Sequence, residues 1–239
     1  MFKGIDSPEK VGLPTVEENY NGKKEVMEDA DQYLGFKPTI KLVLLNKSIW
    51  IVAISMFFLD FIRIGFMFWA ITYLFEDHQT SVSLATYSIM IIPVAGSMDA
   101  LFSSWLANKY LKRKSVRIIQ VMLLLLVEAC FIFMITSKSN WILSLIMLVL
   151  MGFFLYGPHV LMSAFLPMEY VSREASATAA GFISGWGYIG SAITGILSGF
   201  LADNFGWNSV FYLWMSGGLV AAVLMAVLWN YRPLKRKYH

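Results

Sequence analysis

Charge is scarce in this chain of 239 residues, since 15% of the residues are charged while 57% are hydrophobic and 15% are aromatic. An ordinary soluble domain has about a quarter of its residues charged, so this composition argues against one. The net charge is +3, and the basic residues form no stripe of the kind that binds nucleic acid. The single cysteine, Cys130, rules out a disulfide within the chain. The composition therefore predicts a membrane protein that does not bind nucleic acid.

The sequence also lacks the patterns of enzyme chemistry. It contains no Gly-rich phosphate loop and no nucleophile elbow. The three histidines, His78, His159 and His239, are too scattered to suggest a metal site. We therefore expect no enzymatic activity, no metal and no cofactor. The first 32 residues are charged and lack the apolar core of a signal peptide.

Long hydrophobic runs dominate the rest of the chain. Six apolar blocks lie at approximately 48–76, 82–107, 117–136, 141–166, 174–202 and 207–231. Each has the roughly 20 residues that a helix needs to cross about 30 Å of hydrocarbon. We predict an all-α membrane protein with six transmembrane helices in the bundle 47–231. Residues 1–46 are predicted to form a mostly irregular cytoplasmic arm, in which a helix could form near Lys23 to Tyr33. Residues 232–239 are predicted to form a basic cytoplasmic tail.

The loops between the blocks differ sharply in basic residues. From Lys37 onward, thirteen Lys and Arg residues outside the apolar blocks or at their edges lie on one side of the predicted membrane and one, Lys138, on the other. Cytoplasmic loops carry an excess of Lys and Arg. We therefore expect a multi-pass protein of the cell (inner) membrane with both termini in the cytoplasm.

One permanent cation, Arg63, lies in the middle of the first apolar block. A guanidinium at bilayer depth costs about 2.5 kcal/mol or more, so it should face protein or a water-filled cavity. Its planar fork matches the oxygens of phosphate and carboxylate. We hypothesise that the protein handles an anion and that Arg63 binds it. The hypothesis fails if Arg63 points into the acyl chains or the headgroups with no acidic or phosphate partner in reach.

Other polar residues at bilayer depth allow more than one role. Asp60 precedes Arg63 by three residues and can share its helical face; it is either a structural counter-ion or a group released when phosphate arrives. Asp99 is another partner for Arg63, a proton site or a capped polar residue at a kink. His159 binds substrate, carries a proton or satisfies another helix as a donor. Tyr156 can donate to a phosphate oxygen.

Two further features allow both a structural and a functional interpretation. Ala177, Gly181 and Gly185 form a ladder of small residues, Gly195 and Gly199 form another, and the small face is widened by Gly187 and Gly190. This pattern predicts close helix packing, with a helix that slides during transport as the alternative. Glu128 lies inside the third block, either near a helix end, paired, or functional.

The segment LYGPHVLMSAFLPMEYVSREASATAAGFISGWGYIG resembles the organophosphate:inorganic-phosphate antiporters of the major facilitator superfamily. The matching features are a Gly-Pro pair at 157–158, Glu169, ATAAGF at 177–182 and GYIG at 187–190. DSPEKVGLPTVEENY at 6–20 resembles the family's central cytoplasmic loop. LDFIRIG resembles its seventh helix, and Arg63 falls on the position of a phosphate-binding arginine.

The resemblance implies the C-terminal half of that fold, a 3+3 helix repeat. It also implies exchange of a phosphorylated small molecule, a sugar phosphate or glycerol phosphate, for inorganic phosphate by alternating access. Arg63, Tyr156 and His159 would bind substrate, and Asp60 and Asp99 would form ion pairs or act in gating. Some relatives in the family are sugar-phosphate sensors, which is the alternative function.

A six-helix half cannot enclose such a site alone. The sequence leaves three possibilities open: a separately encoded first half, a second copy of this chain, or a truncated product that does not transport. The sequence also departs locally from the family pattern. The segment 66–69 has no acidic residue after Arg63, and Asn108 replaces an acidic residue in a loop motif.

Overall fold

The computed structural model describes residues 36–78, 82–110, 115–137 and 141–230. Within these ranges the chain forms α1 (Phe36–Leu45), α2 (Lys47–His78), α3 (Val82–Ile89), α4 (Ile91–Tyr110), α5 (Ser115–Thr136), α6 (Trp141–Val160), α7 (Leu166–Tyr170), α8 (Arg173–Phe205) and α9 (Trp207–Val227). A π-helical segment, Leu161–Phe165, joins α6 to α7. The helix expected near Lys23 to Tyr33 and the tail 232–239 lie outside the described residues.

Six helical stretches in the described ranges are long and apolar enough to cross a membrane. They are Lys47–Glu76, Thr86–Ser103, Ser115–Thr136, Ile142–Tyr170, Ala175–Phe205 and Trp207–Val227. The prediction of an all-α protein with six membrane helices is confirmed, and the chain is a multi-pass membrane protein.

A further helix, α1, lies inside the segment predicted to be mostly irregular. It packs against α8, and its Val43 is buried, with 1% of its surface exposed. Asn46 separates α1 from α2. Its Nδ2 donates to the carbonyl of Tyr170 at 2.9 Å, and its Oδ1 accepts from the Ser48 N–H at 2.9 Å. Asn46 therefore caps the start of α2 and ties it to the end of α7.

Two membrane spans are interrupted at prolines or near them. The second span breaks at Met90, so that Pro93 falls in the first turn of α4, where a proline removes no helical hydrogen bond. In the fourth span Pro158 lies inside α6, and the π-helical segment begins three residues later. Proline in a helix interior removes one backbone donor and disturbs the turns around it.

The spans pair in a pattern that repeats. The first span, α2, packs mainly against the fifth, α8, and the second, α4, against the fourth, α6. The third and sixth, α5 and α9, pack against each other, while α9 also contacts α2 and α5 also contacts α6. If the first span is exchanged with the fourth, the second with the fifth and the third with the sixth, the same set of main pairings results. This is the arrangement expected of a 3+3 repeat.

The close contacts of α8 within the described chain do not involve Gly181 or Gly185. A Cβ added at Gly181 or Gly185 meets no other atom within 4 Å, and both glycines are exposed. A Cβ at Gly190 would instead lie 2.2 Å from the carbonyl oxygen of Phe57 on α2. A Cβ at Gly199 would lie 2.7 Å from the ring of Trp69, also on α2. Small residues occur on several sides of α8, and their spacing alone does not identify which of them pack within this chain.

Gly190→Ala is expected to destabilise the bundle, because the added methyl meets backbone that cannot rotate away. Overpacking of this kind costs about 1–3 kcal/mol, which should appear as a lower melting temperature in detergent. Gly181→Ala on the same helix is the matched control and should melt like the unmodified chain. Equal melting temperatures for both variants would contradict the close approach of α8 to α2.

Candidate functional site

The site is centred on an ion pair within α2. Arg63 Nε donates to Asp60 Oδ1 at 2.8 Å, one helical turn away. The side chain of Arg63 is 15% exposed and that of Asp60 is 2% exposed. The guanidinium therefore faces the protein and has an acidic partner there. The spacing of three residues was enough to predict this pair, since both side chains lie on one face of the helix.

Two side chains from α6 join the pair. His159 Nε2 lies 3.5 Å from Asp60 Oδ1, so one carboxylate oxygen faces both Arg63 and His159. The Cζ atom of Arg63 lies 5.7 Å from the centre of the Tyr156 ring, within the range of a cation–π contact. The hydroxyl of Tyr156 donates to Met67 Sδ at 3.7 Å. Tyr156 thus presents its ring face to Arg63, and its hydroxyl would have to leave Met67 to reach a ligand.

Two glycines leave the space that the Asp60 carboxylate and the Tyr156 ring occupy. A Cβ on Gly187 of α8 would lie 2.3 Å from Asp60 Oδ2, so only glycine leaves room for the carboxylate there. A Cβ on Gly96 of α4 would lie 2.2 Å from the ring of Tyr156. Four helices therefore contribute to the site. Sequence reasoning noted Gly187 only as one of several small residues on α8, and nothing in the spacing linked it to Asp60.

Asp99 lies apart from this cluster. It is fully buried, and its Oδ1 accepts from Ser103 Oγ at 2.9 Å on the same helix. Its Oδ2 would be 2.3 Å from a Cβ added at Gly157 of α6. Asp99 thus sits at the contact between α4 and α6, as Asp60 sits at the contact between α2 and α8. Among the described residues no contact joins it to Arg63.

The arrangement suits an oxyanion. In the part of the chain that the structure describes, Asp60 is the hydrogen-bond partner of Arg63, and it uses Nε. The two terminal nitrogens of the guanidinium therefore have donors left for two oxygens of one anion. The site is reachable, because the side chains of Arg63 and His159 are 15% and 27% exposed.

Potential metal ligands are dispersed in the described ranges. Within the described residues no group of three or more His, Cys, Asp or Glu side chains is placed to hold a metal ion.

Known proteins resemble the chain over most of its length. It is 29% identical to the glycerol-3-phosphate transporter of Bacillus subtilis over 228 residues, which cover 94% of this chain and 51% of that protein. It is 28% identical to a probable hexose phosphate transport protein of Chlamydia trachomatis, covering 94% of this chain and 52% of the relative. The hexose-6-phosphate:phosphate antiporter of Escherichia coli is 26% identical, with 94% and 48% covered. The chain spans about half the length of these curated relatives.

The fold has a solved counterpart. The crystal structure of PepTSo, a transporter of the POT family, aligns with a TM-score of 0.66 over 77% of this chain and 37% of that chain, at 18% identity. This likeness concerns the helix arrangement alone. Residues 2–195, more than half of the chain, match the sequence profile of one family. The chain belongs to the Major Facilitator Superfamily.

Proposed function

We propose that the chain is half of a transporter that exchanges a phosphorylated small molecule for inorganic phosphate by alternating access. The observation that carries the proposal is the geometry of Arg63, whose Nε is bonded to Asp60 at 2.8 Å while its two terminal nitrogens remain available. The names of the relatives, which include transporters of glycerol-3-phosphate and hexose phosphate, support this substrate class.

The chemistry of exchange follows from the fixed charge of Arg63. Two phosphate oxygens would bond the terminal nitrogens, each bond contributing about 1.5–3 kcal/mol. An organic phosphate and inorganic phosphate present similar oxygens, so either can satisfy the same guanidinium. An empty site would leave the cation to Asp60 alone, which favours reloading over return of an empty carrier.

His159 and Tyr156 would complete the substrate site. The imidazole touches the Asp60 oxygen that Arg63 uses, so a change in its protonation alters the competition for that oxygen. The ring of Tyr156 stabilises the guanidinium through its face. Asp60 would act as the ion-pair or gating group, because phosphate and Asp60 compete for the same cation. For Asp99 we propose a gating role at the contact of α4 with α6.

A second six-helix bundle would complete the transporter. The chain spans about half of its relatives, and the side chains of Arg63 and His159 keep part of their surface exposed. The bundle that covers them would be the family's first half, with this chain as the C-terminal half, or else a second copy. The outward-facing Gly181 and Gly185 would allow its close approach.

We propose the inner membrane as the location, with both termini in the cytoplasm. The support is the distribution of Lys and Arg from Lys37 onward, thirteen on one side against one on the other. In this arrangement residues 1–46 would be the loop between the two halves, 47–231 the membrane bundle and 232–239 a basic tail.

The test is phosphate exchange in proteoliposomes. The chain is reconstituted with and without a complementary six-helix half, and entry of labelled phosphate against internal phosphate or hexose phosphate is measured. Saturable exchange that requires a loaded interior supports the proposal. Binding of hexose phosphate without exchange in the completed transporter would instead indicate a sensor, a function that the relatives' names do not favour.

Asp60→Asn separates the two roles of the ion pair. The amide keeps the shape but removes the negative charge, so phosphate meets an uncompensated guanidinium. We expect phosphate to bind about 3- to 10-fold more tightly and exchange to slow, because release must now overcome the stronger attraction. Equilibrium binding and exchange rates are measured on the same preparation. Glu76→Gln is the matched control, since it removes a carboxylate at the far end of the same helix, where Glu76 accepts a hydrogen bond from Trp207 Nε1 at 2.9 Å; equal effects of both would contradict the assignment.

A further inference from the structure

One face of α1 changes from basic to apolar along the helix. It lines a cavity of about 410 Å³, whose described lining residues are Lys37, Ile40, Lys41, Leu44 and Leu45. Steps of three and four residues place these side chains on the same side of the helix. The face extends about 12 Å from Lys37 to Leu45. It therefore has two cations at its beginning and two leucines at its end.

Both ends of this face are open to an occupant. Lys37 and Lys41 are exposed, and among the described residues neither ammonium group has a hydrogen bond or an ion pair. Leu44 and Leu45 are 44% and 70% exposed, and apolar surface of this kind is stabilised when it leaves water. Free cations beside uncovered leucines indicate an occupant with an anionic head and an apolar body.

The position of α1 relative to the membrane agrees with such an occupant. Leu45 lies two residues before Lys47, where the first membrane span begins. The leucines are thus next to the hydrocarbon, while Lys37 lies up to about 12 Å farther along the helix. In the orientation proposed above, on which this step rests, α1 is at the cytoplasmic leaflet, which carries anionic phospholipids.

Contacts with the bundle hold the apolar end of this face in place. Trp50 Nε1 donates to the carbonyl of Leu44 at 2.8 Å. The ring of Trp50 packs edge-on against Phe182 of α8, with 5.0 Å between the ring centres. Val43 is buried where α1 packs against α8. The lysines and leucines therefore keep a fixed position relative to the membrane spans.

We propose that this face of α1 binds an anionic phospholipid. The lipid phosphate would lie between Lys37 and Lys41, which are one helical turn apart, and the beginning of an acyl chain would cover Leu44 and Leu45. Attraction of basic residues to an anionic headgroup and burial of apolar area both strengthen such binding. The bound lipid would hold α1 at the membrane surface and so fix the start of α2, the helix that carries Arg63.

Other ligands match only part of this face. Inorganic phosphate could bind the two lysines but would leave Leu44 and Leu45 uncovered. A zwitterionic phospholipid could cover the leucines, but the cation of its own headgroup would oppose the lysines. The lipid site is also separate from the Arg63 site, which is built by α2, α4, α6 and α8. Lipid binding therefore stands or fails independently of the transport proposal.

Native mass spectrometry of the purified chain tests the proposal, because it counts bound lipids. Dioleoylphosphatidylglycerol and dioleoylphosphatidylcholine are the probes, since they share acyl chains and differ in charge. We expect the first phosphatidylglycerol to bind about tenfold more tightly than phosphatidylcholine. Lys37→Gln with Lys41→Gln should remove this preference. Lys47→Gln with Arg117→Gln is the matched control, since it removes two cations from the same predicted membrane side outside the cavity, and it should keep the preference.

Two further variants separate the lipid from other ligands. Leu44→Ser with Leu45→Ser should weaken phosphatidylglycerol binding about fivefold or more, and excess inorganic phosphate should not displace the lipid. Asp60→Asn with Arg63→Gln, which removes the ion pair of the transport site, should bind the lipid like the unmodified chain. Melting temperatures check that all variants remain folded. Equal affinity for the two lipids, equal losses in the two double variants that remove cations from the surface, or displacement by inorganic phosphate would overturn the proposal.

Discussion

Arg63→Ala should abolish phosphate exchange and weaken phosphate binding by at least about 100-fold. Two charge-assisted hydrogen bonds of about 1.5–3 kcal/mol each are lost, and every 1.4 kcal/mol corresponds to about a tenfold change in affinity. Arg63→Lys should recover only a small part of the binding, because an ammonium keeps the charge but cannot bond two oxygens in one plane. Equilibrium binding of labelled phosphate and exchange in proteoliposomes give the two readouts.

This experiment needs a control for folding. Removing Arg63 leaves Asp60, with 2% of its side chain exposed, with only the longer 3.5 Å contact to His159 among the described residues; breaking a buried ion pair in this way destabilises a protein by about 3–5 kcal/mol. The double variant Asp60→Asn with Arg63→Gln removes both charges and should melt near the unmodified chain while binding no phosphate. If this folded double variant bound phosphate normally, Arg63 would not be the anion-binding residue.

Gly187→Ala is expected to have the second largest effect, although it touches no ligand. The added Cβ would lie 2.3 Å from Asp60 Oδ2, whereas real Cβ contacts are essentially never under 3.0 Å. The carboxylate must therefore move by at least several tenths of an ångström, which disturbs the 2.8 Å bond to Arg63 and the contact with His159. We expect exchange to fall about tenfold or more, with a lower melting temperature.

The neighbouring glycine provides the matched control. Gly185 lies two residues earlier on the same helix, and a Cβ there meets nothing within 4 Å in this chain. Gly185→Ala should keep the melting temperature and the binding of phosphate to the isolated chain. If both variants behaved alike, the carboxylate of Asp60 would not be seated against Gly187, and the geometry of the ion pair would have to be revised.

Membrane helices hide their orientation from sequence analysis. On a soluble helix the alternation of apolar and polar residues marks the buried face. In α5 both faces are apolar, so the sequence could place Glu128 at bilayer depth but could not tell whether it points inward. The structure turns it outward beside Tyr212. The same ambiguity applies to the small residues of α8, of which Gly181 and Gly185 face outward whereas Gly187 and Gly190 make close contacts within the chain.

Sequence spacing also could not predict contacts between residues that are far apart in the chain. In the sequence His159 and Tyr156 are separate polar residues near Pro158. Their spacing along the chain does not predict a contact with Asp60 or Arg63. The contact of His159 with Asp60 depends on how α6 lies against α2. The same holds for Asp99, which sequence analysis allowed as a partner of Arg63 and which the fold instead places beside Ser103 and Gly157.

The sequence by itself determined that the chain crosses a membrane six times and that Arg63 has Asp60 within reach. Both follow from local physics, because span length depends on hydropathy along the chain and the pair depends on one helical turn. The tertiary structure alone decided which side chains surround that pair and which face of each helix looks outward. Those choices depend on the packing of one apolar surface against another, and in lipid the two surfaces have nearly the same composition.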